Sequence, residues 1–230
     1  MMGGVLIAFF LASAPVNAEA PVLVKAMLEN APEGAQSPCS YVRTRINGGE
    51  VKRERYHAGD MVSAWELLEV NGREPNPAEL RRYARDTDHQ DRRHPLDFDL
   101  RDMVDPDYWR LRSESDEQAV FEFRLRPNED LDARMMDKVR GVLVVDKERL
   151  QPVRITIENT EPVFVAPLVR VADYSQEMRF RWEPAIGAAV LVETETNVRG
   201  RAVGLKLLRR HKVVRYSDYQ CRGDVAEVSG

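Results

Sequence analysis

The chain lacks long apolar runs, clustered cysteines and a strong excess of either charge. Its 230 residues include only 2 Cys and 4 His, and 34 basic against 38 acidic side chains leave a net charge of −4. A balance so near neutral gives no general reason to bind nucleic acid or an acidic membrane. Cys39 and Cys221 have no Cys or His partner at metal-ligand spacing, so there is no zinc signature. G-x-S-x-G and H-E-x-x-H are missing, which removes the nucleophile-elbow and zincin chemistries. The phosphate loop and the dinucleotide fingerprint are missing too. The sequence therefore assigns no catalytic residue and no cofactor, and it reads as non-enzymatic.

The one uninterrupted apolar run stands at the start, where Val5 to Ala12 reads VLIAFFLA. It is shorter than the roughly 20 residues that span a bilayer. Val16-Asn17-Ala18 follows, with small residues suited to a signal peptidase, so residues 1–18 read as a signal peptide cleaved after Ala18. Ala20 is a second possible site. No Cys sits just after the cleavage point and no later apolar stretch is long enough to cross a membrane. The expected product is periplasmic: one domain over 19–222 and a small, polar, disordered tail over 223–230. In an oxidising compartment Cys39 and Cys221, at opposite ends of that domain, are expected to form a disulfide.

Periodicity predicts a mainly β chain with a few helices. Residues 21–30 suit a helix, with Leu23/Met27 and Val24/Leu28 as i,i+4 pairs. Residues 40–46 alternate with period two and run into Asn47-Gly48-Gly49, a strong hairpin signal. A polar strand over 51–57 follows, then one over 62–70 that carries Trp65 and ends at Asn71-Gly72. Asn76, Pro77 and Glu79 form a helix start with a capping box, and that helix runs to about Arg85. Leu96, Leu100, Met103 and Val104 share one face of a second helical candidate. Strands follow over 108–112 and 120–126. A Met-bearing break covers 128–137. A hairpin over 142–145 and 153–157 turns at 146–149. Later strands carry Met178, Phe180 and Trp182, then Val190 and Val192, and a last one covers 204–219. One-sided alternation and short connections imply an antiparallel sheet with one buried face. A second sheet would cover that face, or the sheet would curve round the helices.

This order resembles the periplasmic lipoprotein-carrier superfamily, which includes LolA, LolB and the N-terminal domain of RseB. The resemblance rests on the strand at 40–46 with its Asn-Gly-Gly turn, on Trp65 through Asn71-Gly72 into the helix at 76–85, on the Phe121 strand, and on the long strands to Tyr219. It is architectural and carries no specific motif or functional residue. It implies a strongly curved antiparallel sheet, an unclosed half-barrel with a helical plug. It also implies a carrier or binding domain for an acylated or apolar ligand, such as a lipid or a lipoprotein. An envelope protein-interaction or sensory domain like RseB is the alternative.

In such a half-barrel the ligand-cavity candidates are Trp65, Leu96, Leu100, Met103, Trp109, Phe121, Phe123, Met135, Ile155, Ile157, Phe180 and Trp182. Met103 and Met135 suit a cavity because unbranched thioether chains adapt to varied apolar shapes. Two polar features read differently. The acidic stretch over 86–107 holds His89 and His94, but its spacing fits no metal loop and Arg85, Arg92, Arg93 and Arg101 compete for its carboxylates. It reads as a solvated, salt-bridged connection with no metal. Arg43, Arg45, Lys52, Arg53 and Arg55 on the first hairpin read as a solvated outer face, with an anionic head group or an acidic partner as the other reading.

Overall fold

The computed structural model describes residues 21–30, 39–58, 64–87, 100–126, 137–166, 169–202 and 206–221. Among them the chain begins with α1 (Val22–Asn30), β1 (Cys39–Asn47), β2 (Glu50–Tyr56), β3 (Trp65–Val70) and α2 (Pro77–Thr87). A single helical turn, α3 (Leu100–Met103), leads into β4 (Val104–Glu114), β5 (Gln118–Leu125), β6 (Val139–Asp146) and β7 (Gln151–Asn159). The last strands are β8 (Val163–Ala166), β9 (Val169–Glu183), β10 (Ala188–Ala202) and β11 (Lys206–Cys221). The signal segment, the tail, Leu96, Met135 and the acidic stretch over 88–99 lie outside the described residues.

All eleven strands belong to one antiparallel sheet in the order β3-β2-β1-β11-β10-β9-β7-β6-β5-β4, with β8 paired to β9. The sheet is curved and does not close. Most neighbours in sequence pair directly; the exceptions are β3 and β4, which stand at opposite edges, and β7, which pairs with β9 past β8, while β11 returns to lie beside β1. Cys39 and Cys221 are direct cross-strand partners there, and their sulfurs stand at disulfide distance across 182 residues of sequence.

Cross-strand register places one row after another on a single inner face. Phe121 and Phe123 of β5 meet Leu143 and Gly141 of β6, which meet Ile155 and Ile157 of β7, which meet Met178 and Gln176 of β9. The face continues through Thr194 and Val214 to Arg45, Arg43 and Glu54. Two apolar clusters cover it. The larger holds Trp109, Phe121, Phe123, Leu143, Ile155 and Met178, closed by Val24 and Met27 of α1 and Leu100 of α3. The smaller holds Leu67 and Val70 of β3 under Tyr83 of α2, with Trp65 packed against them.

The helices form for the reasons the sequence gives. Val24 and Met27 are the buried side of α1, and Leu23 and Leu28 pack against the same core. At α2 the Asn76 Oδ1 accepts the Ala78 and Glu79 N–H groups at 2.9 and 3.0 Å. Glu79 Oε2 in return accepts the Asn76 N–H at 2.8 Å. That reciprocal pair satisfies donors no helical carbonyl can reach.

Four elements depart from the expectation. The second helix is described only as Leu100–Met103, because β4 starts at Val104 and takes Val104 and Trp109 into the sheet. β8 was not foreseen. β9 and β10, at 15 residues each, are three times the expected length or more, because Gln176, Thr194 and Thr196 on the inner face are polar and break the apolar alternation.

The basic first hairpin also differs from its reading as a solvated outer face. Arg43 and Arg45 turn inward, and both reach Glu54 at 2.6 Å. Arg53 and Arg55 do face outward, where they pair with Glu69 and Glu66 on β3. Outward ion pairs recur across the sheet, at Arg140–Glu158 and at Glu193 between Arg179 and Arg215.

Candidate functional site

Toward one end of the inner face the large aromatic side chains give way to valines, and a cavity of about 290 Å³ opens. That volume is near the lower end of small-molecule sites, about 300–1,000 Å³. Leu125, Val139 and Ile157 form its floor, from β5, β6 and β7. Val163 and Val165 of β8 and Val171 of β9 form one wall. Met103 of α3 lies against the opening, and Tyr174, Gln176 and Asn159 complete the lining. Among the described residues Arg126 is the one charged member of the lining, and it is exposed.

Two local devices shape this end. β9 pairs Asp173 with Arg199 but Val171 with Gly200, so Ala172 is an extra residue, a bulge. The bulge flips the alternation and puts Val171 on the same side as Tyr174. Gly200 is required opposite it, because a Cβ there would run into the Arg170 carbonyl oxygen. Asn159 then staples the corner where β7 gives way to β8. Its Oδ1 accepts the Tyr174 N–H at 2.5 Å, and its Nδ2 donates to the Glu161 and Ala172 carbonyls at 2.7 and 2.9 Å.

The polar groups of the lining are mostly satisfied internally. Tyr174 donates its hydroxyl to Gln176 Oε1 at 2.7 Å, and burial pushes its pKa up, so it stays neutral. With Asn159 committed to backbone, the lining presents apolar surface and one guanidinium near the opening. Among the described residues its only hydroxyl is the Tyr174 phenol, and none contributes a thiol, imidazole or carboxylate. Among the described residues no cluster of His, Cys, Asp and Glu could hold a metal ion.

The candidates from sequence divide among several places. Met103 and Ile157 line the cavity. Leu100, Trp109, Phe121, Phe123 and Ile155 fill the adjacent core, and Phe180 packs against it. Trp182 is half-buried on the same face of β9, opposite Ala189. Trp65 sits at the other edge of the sheet, on β3, where the Arg43 guanidinium lies 3.5 Å above its ring. The cavity residues that sequence reading missed are chiefly Val139, Val163, Val171 and Tyr174. Their one local signal is the small β-branched run around 163–171. Comparison with family models, with curated proteins and with solved structures finds no match to this chain.

Proposed function

We propose that the chain is a periplasmic, non-enzymatic carrier or binding domain for an acylated or other apolar ligand, held against the inner face of the sheet. The observation that carries this reading is the valine-lined cavity with Arg126 beside it. An alkyl chain entering it loses water from apolar surface, at about 25 cal/mol per Å². Arg126 suits an acidic head group at the other end of such a ligand. α3 and its Met103 supply an adaptable cover at the opening. Periplasmic location rests on the leader-like residues 1–18, and the Cys39–Cys221 pair is compatible with it.

The test is native mass spectrometry of the purified protein, followed by titration with a fluorescent fatty acid. Val171→Phe fills the cavity from the β9 wall and should abolish probe binding while the far-ultraviolet circular dichroism stays unchanged. Arg126→Gln should weaken the acid but not the matching alcohol. Absence of both co-purified lipid and probe binding by the wild-type protein would overturn the reading.

A further inference from the structure

Over most of the outer face, arginines stand beside glutamates on neighbouring strands. At the far end of β9, β10 and β11 that pattern stops. Arg199 stands directly opposite Arg209. Arg201 stands between Leu207 on β11 and Arg170 on β9. Phe164 on β8 lies opposite Arg170. One row on one face therefore runs Phe164, Arg170, Arg201, Leu207 across four strands, with Arg199 and Arg209 beside it. The four arginines and Leu207 border a groove of about 420 Å³.

Like charges placed directly opposite destabilise a strand pair; where Arg154 meets Arg179 elsewhere on this face, Glu177 and Glu193 pair with Arg179 and offset the cost. Among the described residues none of the four arginines makes an ion pair. The nearest acid in register is Asp173, opposite Arg199. The connecting residues 167–168 and 203–205 carry no carboxylate. The row is also apolar at both ends: Phe164 is 64% exposed and Leu207 62%. The chain's net charge of −4 hides this local concentration of the opposite sign.

We propose that this end of the outer face docks on an anionic phospholipid bilayer. Guanidinium groups match phosphate geometry and keep their charge while sitting among head groups. Phe164 and Leu207 enter the boundary between head group and acyl chain, as the apolar side of an interfacial element does. A soluble polyanion would neutralise the arginines but leave both apolar side chains in water. The inference rests on the outer face alone and does not depend on what occupies the cavity.

The experiment is flotation of the full chain with vesicles of phosphatidylcholine, and of phosphatidylcholine with 30% phosphatidylglycerol. The leader-like residues 1–18 carry no charged side chain, and their apolar run and terminal amine are common to every variant, so the comparison between variants isolates the outer face. Binding should require phosphatidylglycerol and fall with salt. Each arginine contributes roughly five-fold in affinity, so Arg199→Gln with Arg201→Gln and Arg209→Gln should lose about 100-fold. The matching lysine variants should keep most of the binding, because membrane attraction follows charge. Phe164→Ser with Leu207→Ser should weaken binding but retain its salt dependence. All these positions are exposed, and an unchanged melting temperature would show that the variants stay folded. Equal binding to both vesicles, or none to the anionic ones at low salt, would overturn the proposal. So would complete displacement by inorganic phosphate at constant ionic strength together with loss in the lysine variants, which would mark a small-anion pocket.

Discussion

The ring of Phe123 fills the space in front of Gly141, its direct partner on the neighbouring strand. Three ring carbons lie where a Cβ on residue 141 would stand, and Phe123 is fully buried as a result. The pair lets a large aromatic side chain lie close to the sheet in the middle of the core. Gly141→Ala should therefore displace the ring and destabilise the fold by about 1–3 kcal/mol, as overpacking does. Urea unfolding of the two proteins measures this. Equal midpoints would mean that the ring is not held over the glycine.

Glu54 is a fully buried carboxylate between two arginines, and Arg43 is itself stacked on Trp65. The Tyr83 hydroxyl of α2 is held neutral by burial, with the Glu54 charge reinforcing the effect. Glu54→Gln keeps the shape but leaves two guanidinium groups without a counter-charge in a covered site. The expected loss is about 3–5 kcal/mol, the cost of breaking a buried ion pair on one side. Glu66→Gln, which breaks an exposed pair on the outer face, should cost less than about 1 kcal/mol. A similar small loss for both variants would place Glu54 in water.

The α2 cap has its own pH signature. The hydrogen bond from Arg73, then that from the Asn76 backbone, lowers the Glu79 pKa from 4.5 to about 2. A carboxylate depressed by folding contributes stability that is complete above its unfolded pKa and is lost as pH falls through the folded one. The stability the cap contributes should therefore be complete above about pH 4.5 and decline between there and about pH 2, where the carboxylate itself protonates. The Asn76 amide, followed by nuclear magnetic resonance, should titrate near the lower value. A midpoint near 4.5 would show that the reciprocal bonds do not form in solution.

Local features were the legible ones. Asn76 and Glu79 act within one turn of helix, and Asn47-Gly48-Gly49 shapes its hairpin through its own backbone, with Gly48 and Gly49 at positive φ. The Phe121–Phe123 alternation displayed a buried strand face directly. What stayed hidden depends on register between distant segments. Gln176, Thr194 and Thr196 face inward with no apolar side chain to announce it, so β9 and β10 looked short. The Ala172 bulge moves Val171 to the cavity side, and only its pairing with β10 reveals that. The cavity itself was misjudged in a physical way: large aromatic side chains such as Trp109 and Phe123 close space, and the gap opens where Val139, Val163 and Val171 leave it.

The place of β11 beside β1 has a topological consequence. β3 and β4 are consecutive in the chain but occupy opposite edges of the sheet. The two edges stand nine strand spacings apart, roughly 40 Å counted along the curved sheet at about 4.8 Å each. α2 and α3 are parts of the crossing between them, so two of the covers on the inner face are also the tether between its edges. Joining the ends of β1 and β11, already side by side at Cys39 and Cys221, and opening the chain within the crossing would give a circular permutant. Its main path would be a meander from β4 through β11 and β1 to β3, with every neighbour in the sheet a neighbour in sequence apart from the β8 excursion between β7 and β9. In that permutant the crossing is severed, and either piece could swing off the inner face without parting a single pair of strands.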